Sequence, residues 1–158
     1  MGEAEKVRID ARPSAILAGV AGEYYVAAEL SSKGYIASIT LRNSKGVDVL
    51  CSNSDATRSV GIQVKTSFGH DRRWLLNQKV EDYYAKNLFY VFVCLNKNKS
   101  KPEYFVVPSK HIAKKTKEGH AKWLLTPGKK GRVHKDSKMR IFKDKKEEFK
   151  DRWDLLGL

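Results

Sequence analysis

Apolar residues recur at helical spacing in the first part of the chain. Between residues 14 and 33 they repeat every three or four positions, which predicts one amphipathic helix. Pro13 precedes this segment and Gly34 follows it, as is usual at the start and the end of a helix. A rotation of about 100° per residue predicts the following core-facing residues: Ile16, Val20, Tyr24, Ala27 and Leu30.

Two acidic residues of this helix have different predicted surroundings. Glu23 falls within the apolar face, whereas Glu29 falls on the opposite face, toward solvent. A carboxylate is costly to bury unless something pairs with it, so Glu23 needs an explanation and Glu29 does not. Either Glu23 belongs to a functional site, or it lies at the edge of the apolar face and pairs with a lysine.

Alternating and β-branched residues next predict three strands in succession. The predicted strands are 35–41, 47–51 and 59–67, with a polar loop before the third. In the third strand, Val60, Ile62 and Val64 share one face. Gln63 and Lys65 therefore lie two residues apart on the other face and point the same way.

The rest of the chain mixes short helices with apolar strands. The predicted elements are a short helix at 78–86, a buried strand at 88–95, a strand at 104–107, a helix at 110–118, a mobile basic loop at 128–138 and an amphipathic helix at 143–156. This order predicts an α/β (α+β) fold with a mixed central sheet flanked by helices. A single domain is expected, with a core at about 14–108 and a basic extension at about 109–158.

The composition fits a globular protein with a polyanionic partner. The chain is 41% hydrophobic and 31% charged, and no apolar run approaches the roughly 20 residues that a membrane span needs. The net charge of +13 is uneven, because residues 97–158 contribute +11 of it. Such asymmetry favours a nucleic acid partner over a lysine-rich surface that merely aids solubility. We expect a cytoplasmic protein with no membrane partner.

The two cysteines do not indicate a metal site. Cys51 and Cys94 both lie in apolar, strand-like runs, and no CxxC or HxxxH spacing occurs. We expect both to be buried, reduced thiols.

Acidic, amide and basic side chains converge at the second and third predicted strands. Alternation points Asp48 away from the side of Val47 and Val49, so Asp48 can share one face of a hairpin with Gln63 and Lys65. Oxygen ligands of this kind suit a hard divalent cation such as Mg²⁺.

These residues resemble the PD-(D/E)XK nuclease superfamily, which includes restriction endonucleases and Holliday junction resolvases. The resemblance lies in Gly22-Glu23 on a helix, then 46–50 (GVDVL) on a strand, then 62–66 (IQVKT) on the next strand. It covers roughly residues 14–108 and implies a restriction-endonuclease-like αβββαβ core. The sequence departs from the family pattern at Gln63, where an acid is usual, and no proline stands directly before Asp48.

The resemblance implies a metal-dependent endonuclease that hydrolyses phosphodiester bonds of DNA. Asp48, Gln63 and Glu23 would hold Mg²⁺, for which Mn²⁺ is a possible substitute, and Lys65 would activate the attacking water. Gln63 removes one negative charge, but its carbonyl oxygen remains a ligand for a hard cation. The alternative is a weak or inactive nucleic-acid-binding protein on the same fold. By analogy with related nucleases, the resemblance also implies a homodimer or a higher homo-oligomer.

Several further residues are candidates for contact with the nucleic acid backbone. The best is the basic run of the predicted loop, because lysine and arginine bind phosphate without reading sequence. The candidates are Thr66, Ser67, Arg72, Arg73, Lys129, Lys130, Arg132 and Lys135. The DNA structure recognised, and whether the role is recombination, restriction, homing or repair, stay open. A resolvase-like or general endonuclease is preferred, since the chain is small. An RNA target is permitted by the basic tail but has no motif in its favour.

Overall fold

Two helices and seven strands make up the part of the chain that the computed structural model describes, residues 12–41, 45–69, 72–96 and 101–158. In order they are α1 (Ala15–Ser32), β1 (Ile36–Ile39), β2 (Val49–Ser52), β3 (Ser59–Phe68), β4 (Arg73–Asn77), β5 (Leu88–Leu95), β6 (Glu103–Pro108), α2 (Ser109–Leu125) and β7 (Met139–Lys143). Short 3₁₀ helices lie at Gln78–Glu81, Lys129–Gly131 and Trp153–Leu156.

The strands form a five-stranded mixed sheet and a two-stranded sheet. The larger sheet has the order β1-β2-β3-β5-β6, with β3 and β5 parallel and the other neighbours antiparallel. The smaller sheet pairs β4 with β7, which joins the predicted core to the predicted C-terminal extension. The predicted mixed α/β class is therefore confirmed, while the likeness to restriction endonucleases stays a prediction.

The larger sheet separates two apolar cores. All eight residues of β5 are buried, and they alternate between the two sides. Phe89, Val91 and Val93 pack toward α1, while Tyr90 and Phe92 pack toward α2 and the smaller sheet. The near-continuous apolar run of this strand follows from this burial on both faces. The functional candidates on β3 therefore lie between two layers.

Helix α1 has nearly the predicted bounds. Ser14 caps its start, where Ser14 Oγ accepts a hydrogen bond from Leu17 N (3.2 Å). Gly34, with φ of +88°, follows its end as predicted.

The predicted core-facing side of α1 is right at Leu30 but wrong at Ile16 and Tyr24. The buried residues are Ala18, Gly22, Val26 and Leu30, while Ile16 and Tyr24 are 70% and 64% exposed. The helix approaches the sheet through its smallest residues, since Gly22 packs directly against Thr66 of β3. A pattern that weighs only large apolar side chains selects a different face. Glu29, predicted to face solvent, is half-buried and pairs with Lys33 at 3.1 Å.

Three predicted elements differ in the second half of the chain. The helix predicted at 78–86 is only the 3₁₀ turn Gln78–Glu81, and β4 before it was missed. Helix α2 extends to Leu125, well beyond the predicted residue 118. The helix predicted at 143–156 is absent, because 139–143 pairs with β4 and the residues after it follow the edge of β6. At 139–143, the pairing with β4 overrides the local pattern. No helix in the described ranges is long and apolar enough to cross a membrane.

Candidate functional site

The start of β2 holds Asp48 by hydrogen bonds on both sides. Asp48 N donates to Ile62 O on β3 (2.8 Å), and Asp48 O accepts from Thr40 N beyond β1 (2.9 Å). The carboxylate itself accepts a hydrogen bond at Oδ2 from Val64 N (2.7 Å). Asp48 thus lies directly against the segment that carries Gln63 and Lys65.

A local irregularity in the pairing of β2 with β3 sets the direction of the Asp48 side chain. Ile62 is the register partner of Val49, yet its carbonyl also accepts from Asp48 N, so two consecutive residues oppose Ile62. This is the arrangement of a β-bulge, which redirects side chains and is common next to active sites. The simple alternation that placed Asp48 with Gln63 and Lys65 does not hold at such a position.

Glu23 and Asp48 line the same cavity, of about 300 Å³, between α1 and the start of β2. Gly19, Val20 and Thr40 also line it, and both acids are half-buried. The proximity of Glu23 and Asp48 expected from the sequence is therefore present, although Glu23 reaches the cavity from the margin of the buried face of α1.

Gln63 and Lys65 line a different cavity, of about 660 Å³, on the other side of β3. Tyr83 and Tyr90 line it as well. Burial raises the pKa of Tyr90 to about 12, with smaller contributions from Tyr83 and Asp48, so this phenol stays protonated at neutral pH. Two of the four candidate side chains, Gln63 and Lys65, thus project from one side of β3, while Glu23 and Asp48 lie at its other side.

The donor chemistry fits a hard cation at the carboxylate pair. Glu23 and Asp48 offer oxygens to one cavity, which suits Mg²⁺ or Mn²⁺. The described residues contain no group of three His, Cys, Asp or Glu that would hold a metal by themselves. Gln63, the proposed third oxygen ligand, lines the neighbouring cavity, so a contact between Gln63 and the same cation stays a prediction.

Three of the residues predicted to contact the nucleic acid backbone are buried or paired within the protein. The side-chain oxygens of Thr66 and Ser67 are buried, the first of them beneath Gly22. Arg72 pairs with Glu103 (2.8 Å) and with Glu147. The ion pairs of Arg72 favour a structural role for this residue, and burial keeps the two hydroxyls from the surface. Arg73, by contrast, is exposed on β4.

The basic loop after α2 is exposed and is held at its far end by aromatic contacts. Its exposed candidates are Lys129, Lys130, Arg132 and Lys135. The ring of His134 stacks on Trp123 at 4.0 Å between centroids, and His120 Nε2 lies 2.7 Å from Asp136 Oδ1. These contacts fix the loop against α2, so its cations are presented from a defined position.

Sequence reasoning missed the tyrosines of the larger cavity. Tyr90 lies opposite Gln63 in the parallel register of β3 and β5, and Tyr83 covers the turn before β2. The alternation of side chains within the strand 88–95 could have predicted which face of the sheet Tyr90 lies on. The position of Tyr83 at the cavity depends on its hydrogen bond with Lys45, which is far from it in the chain.

A comparison of the chain with models of known protein families, with curated proteins and with solved structures found no match.

Proposed function

We propose that this protein is a metal-dependent endonuclease that hydrolyses DNA phosphodiester bonds. One observation carries the proposal: the Asp48 carboxylate shares a cavity with Glu23 and is hydrogen-bonded to the β3 segment that bears Gln63 and Lys65. Metal-dependent phosphodiester hydrolysis uses acidic oxygens that hold the cation, together with a nearby positive charge for the phosphate. The surroundings of this segment supply both.

Each side chain has a distinct proposed role. Asp48 and Glu23 hold the cation, and the hydrogen bond from Val64 N fixes the orientation of Asp48. Lys65 stabilises the negative charge that develops on the phosphate, or orients the attacking water. Gln63 donates and accepts hydrogen bonds without adding charge, which suits the placing of a phosphate or a water.

The cation supplies Lewis-acid stabilisation of the reacting phosphate when it is bound. The residues of this chain supply the rest, and the proposal requires the phosphate to contact both Lys65 and the cation at the carboxylates. The net charge of +13 supports a nucleic acid substrate, because it draws a polyanion to the protein at long range. The general restriction-endonuclease-like architecture, a homodimer and a cytoplasmic location belong to the same proposal.

Cleavage of a substrate panel tests the proposal. Plasmid, linear duplex, single strand and four-way junction are incubated with Mg²⁺, Mn²⁺ or EDTA. We expect cutting with either metal and none with EDTA. Lys65→Ala should cut at least about 100-fold more slowly.

Lys86→Ala is the matched control, because Lys86 is an exposed lysine outside both cavities. It should cut like the wild type. An equal loss of cleavage in both variants would mean that Lys65 has no specific role in cleavage. Cutting that persists in EDTA would rule out a metal-dependent reaction.

The second candidate is a nucleic-acid-binding protein without catalysis, which Gln63 favours because it removes a usual acidic ligand. Titration of the protein with Mn²⁺ separates the two. An endonuclease requires saturable binding that Asp48→Asn abolishes. Nucleic acid binding with no such metal binding, and no cutting in the panel, would establish the second candidate instead.

A further inference from the structure

We infer that the cavity beside Gln63 and Lys65 binds one unpaired nucleotide of the substrate. The preferred DNA then contains a single-stranded or distorted segment. This inference rests on the proposed function, since it names the substrate class of the same site.

The size of the cavity suits a single nucleotide. At about 660 Å³ it lies within the range of pockets that bind small molecules. A double helix is far wider than such a pocket, so a base enters it only after leaving the helical stack. A strand whose bases are already unpaired meets no such cost.

The chemistry of the walls suits a base and its phosphate. Tyr83 is 40% exposed and offers a ring face, while Leu76 and Val80 provide apolar contact. Lys45 and Lys79 line the same cavity and supply positive charge. Proteins that bind single strands combine these features, with bases stacked on aromatic rings and cations along the backbone.

The Tyr83 ring is held in place before any substrate arrives. Its hydroxyl donates to Lys45 O (3.1 Å), and the ring rests on the backbone of Gly46. A side-chain carbon at position 46 would lie 2.5–2.6 Å from ring atoms, and φ of +73° there also favours glycine. Because the ring is already ordered, stacking on it costs little conformational entropy. The same turn leads into Asp48, which connects the cavity to the carboxylates.

Polar groups at the cavity wall can recognise the edge of a base. Asn77 and Gln63 line the cavity with both donors and acceptors, and Asp82 adds an acceptor. The Tyr90 phenol, protonated at neutral pH, adds another donor group. A base that enters this cavity can therefore form hydrogen bonds as well as a stacking contact.

Equilibrium binding in EDTA tests the inference without any dependence on cleavage. The probes are a fluorescent oligothymidylate, a blunt duplex and the same duplex with one bulged nucleotide. The wild type should bind the oligothymidylate and the bulged duplex more tightly than the blunt duplex. Tyr83→Ala should weaken binding of those two probes about 10-fold and leave the blunt duplex nearly unchanged.

Two variants serve as controls. Tyr84→Ala removes the neighbouring tyrosine, which is 52% exposed and does not line the cavity, and it should bind like the wild type. Tyr83→Phe keeps the ring and loses the hydrogen bond to Lys45, and it should also bind nearly normally. Thermal unfolding checks that each variant is folded.

Several results would overturn the inference. They are an equal loss for all three probes in Tyr83→Ala, an equal loss in Tyr84→Ala, or a loss in Tyr83→Phe as large as in Tyr83→Ala. Tyr83-dependent binding without any cutting would refute the endonuclease and keep the inference. Cutting of DNA together with no effect of Tyr83→Ala on binding would keep the endonuclease and refute the inference.

Discussion

The carboxylate of Asp48 both accepts a hydrogen bond from the backbone and faces a cavity. Its Oδ2 atom accepts the hydrogen bond from Val64 N, which continues the pairing of β2 and β3 where the regular ladder ends. The same carboxylate faces the cavity that Glu23 lines, where we propose that a cation binds. A structural role and the proposed catalytic role therefore meet at this residue, and a suitable pair of substitutions separates them.

Replacing Asp48 with alanine or asparagine should give the same loss of cleavage but different stabilities. Asp48→Ala leaves Val64 N without its acceptor, which we expect to cost about 1–3 kcal/mol of unfolding free energy. Asp48→Asn keeps an oxygen acceptor and should cost less than about 1 kcal/mol. Urea unfolding and the cleavage panel measure the two effects. Equal destabilisation in both variants would show that the charge, rather than the acceptor, holds the strands together.

At the scale of elements, α1 is positioned by a close approach between helix and sheet. A side-chain carbon at Gly22 would lie only 1.9 Å from Thr66 Oγ1, whereas one at Gly19 would meet nothing within 4 Å. Glu23 follows Gly22 directly, so the depth at which α1 lies also sets the position of this carboxylate.

Alanine at the two glycines should have opposite effects on stability. Gly22→Ala forces the helix away from β3 and should lower the unfolding free energy by about 1–3 kcal/mol. Gly19→Ala gains helix propensity without a clash and should raise it by up to about 1 kcal/mol. Urea unfolding measures both. A stabilised Gly22→Ala would mean that α1 does not pack against Thr66.

A cluster of ion pairs joins β6 to the segment after β7. Glu103 accepts hydrogen bonds from Arg72 Nη2 and Lys150 Nζ, both at 2.8 Å, and its side chain is 19% exposed. Asp151 N also donates to Tyr104 O, so the segment runs along the outer edge of β6. The hydrogen bond from Arg72 and the charge of Lys150 lower the pKa of Glu103 below its ordinary value.

Acid should therefore destabilise the protein partly through Glu103. A lowered pKa means that the stabilisation is present above the ordinary pKa of about 4.3 and is lost as the pH falls through the folded value. Glu103→Gln should be less stable near neutral pH and should lose less stability on acidification. Unfolding measured from pH 7 downward tests this. Glu118→Gln, at an exposed pair with Lys114, is the control and should change little.

At the scale of the whole molecule, positive charge and the two candidate cavities are arranged around one central sheet. Helix α2 and the basic loop lie on the side of the sheet that faces away from α1, as does the larger cavity. The loop is fixed against α2 through Trp123 and His134. A nucleic acid held by the loop would lie on the side of the sheet that Lys65 faces.

The salt dependence of DNA binding should report on the loop. Arg132→Gln should weaken binding at low salt and reduce the slope of log K against log salt by about 1, if Arg132 contacts one phosphate. Arg58→Gln, an equal change of charge in the exposed loop between β2 and β3, should leave the slope unchanged. The same slope in the wild type and in Arg132→Gln would exclude this loop from the DNA interface.

The sequence by itself determined the features that depend on neighbouring residues. Strand β5 and the helix between Ser14 and Gly34 have nearly the predicted bounds, because burial on both faces and helix capping leave local patterns. The alternation of β3 also correctly separated Val60, Ile62 and Val64 from Gln63 and Lys65. Cys51 and Cys94 are free and buried, as the apolar runs around them predicted.

Only the tertiary structure decided the features that depend on contacts between distant segments. The close packing of Gly22 on Thr66 turned α1 to a face that the apolar pattern did not select. The bulge opposite Ile62 moved Asp48 to the side of Glu23, since an extra residue breaks the two-residue alternation. The pairing of β4 with β7 made two strands that the local pattern had not predicted. A local sequence pattern indicates which residues are buried. The segment that packs against each of them depends on the fold of the whole chain.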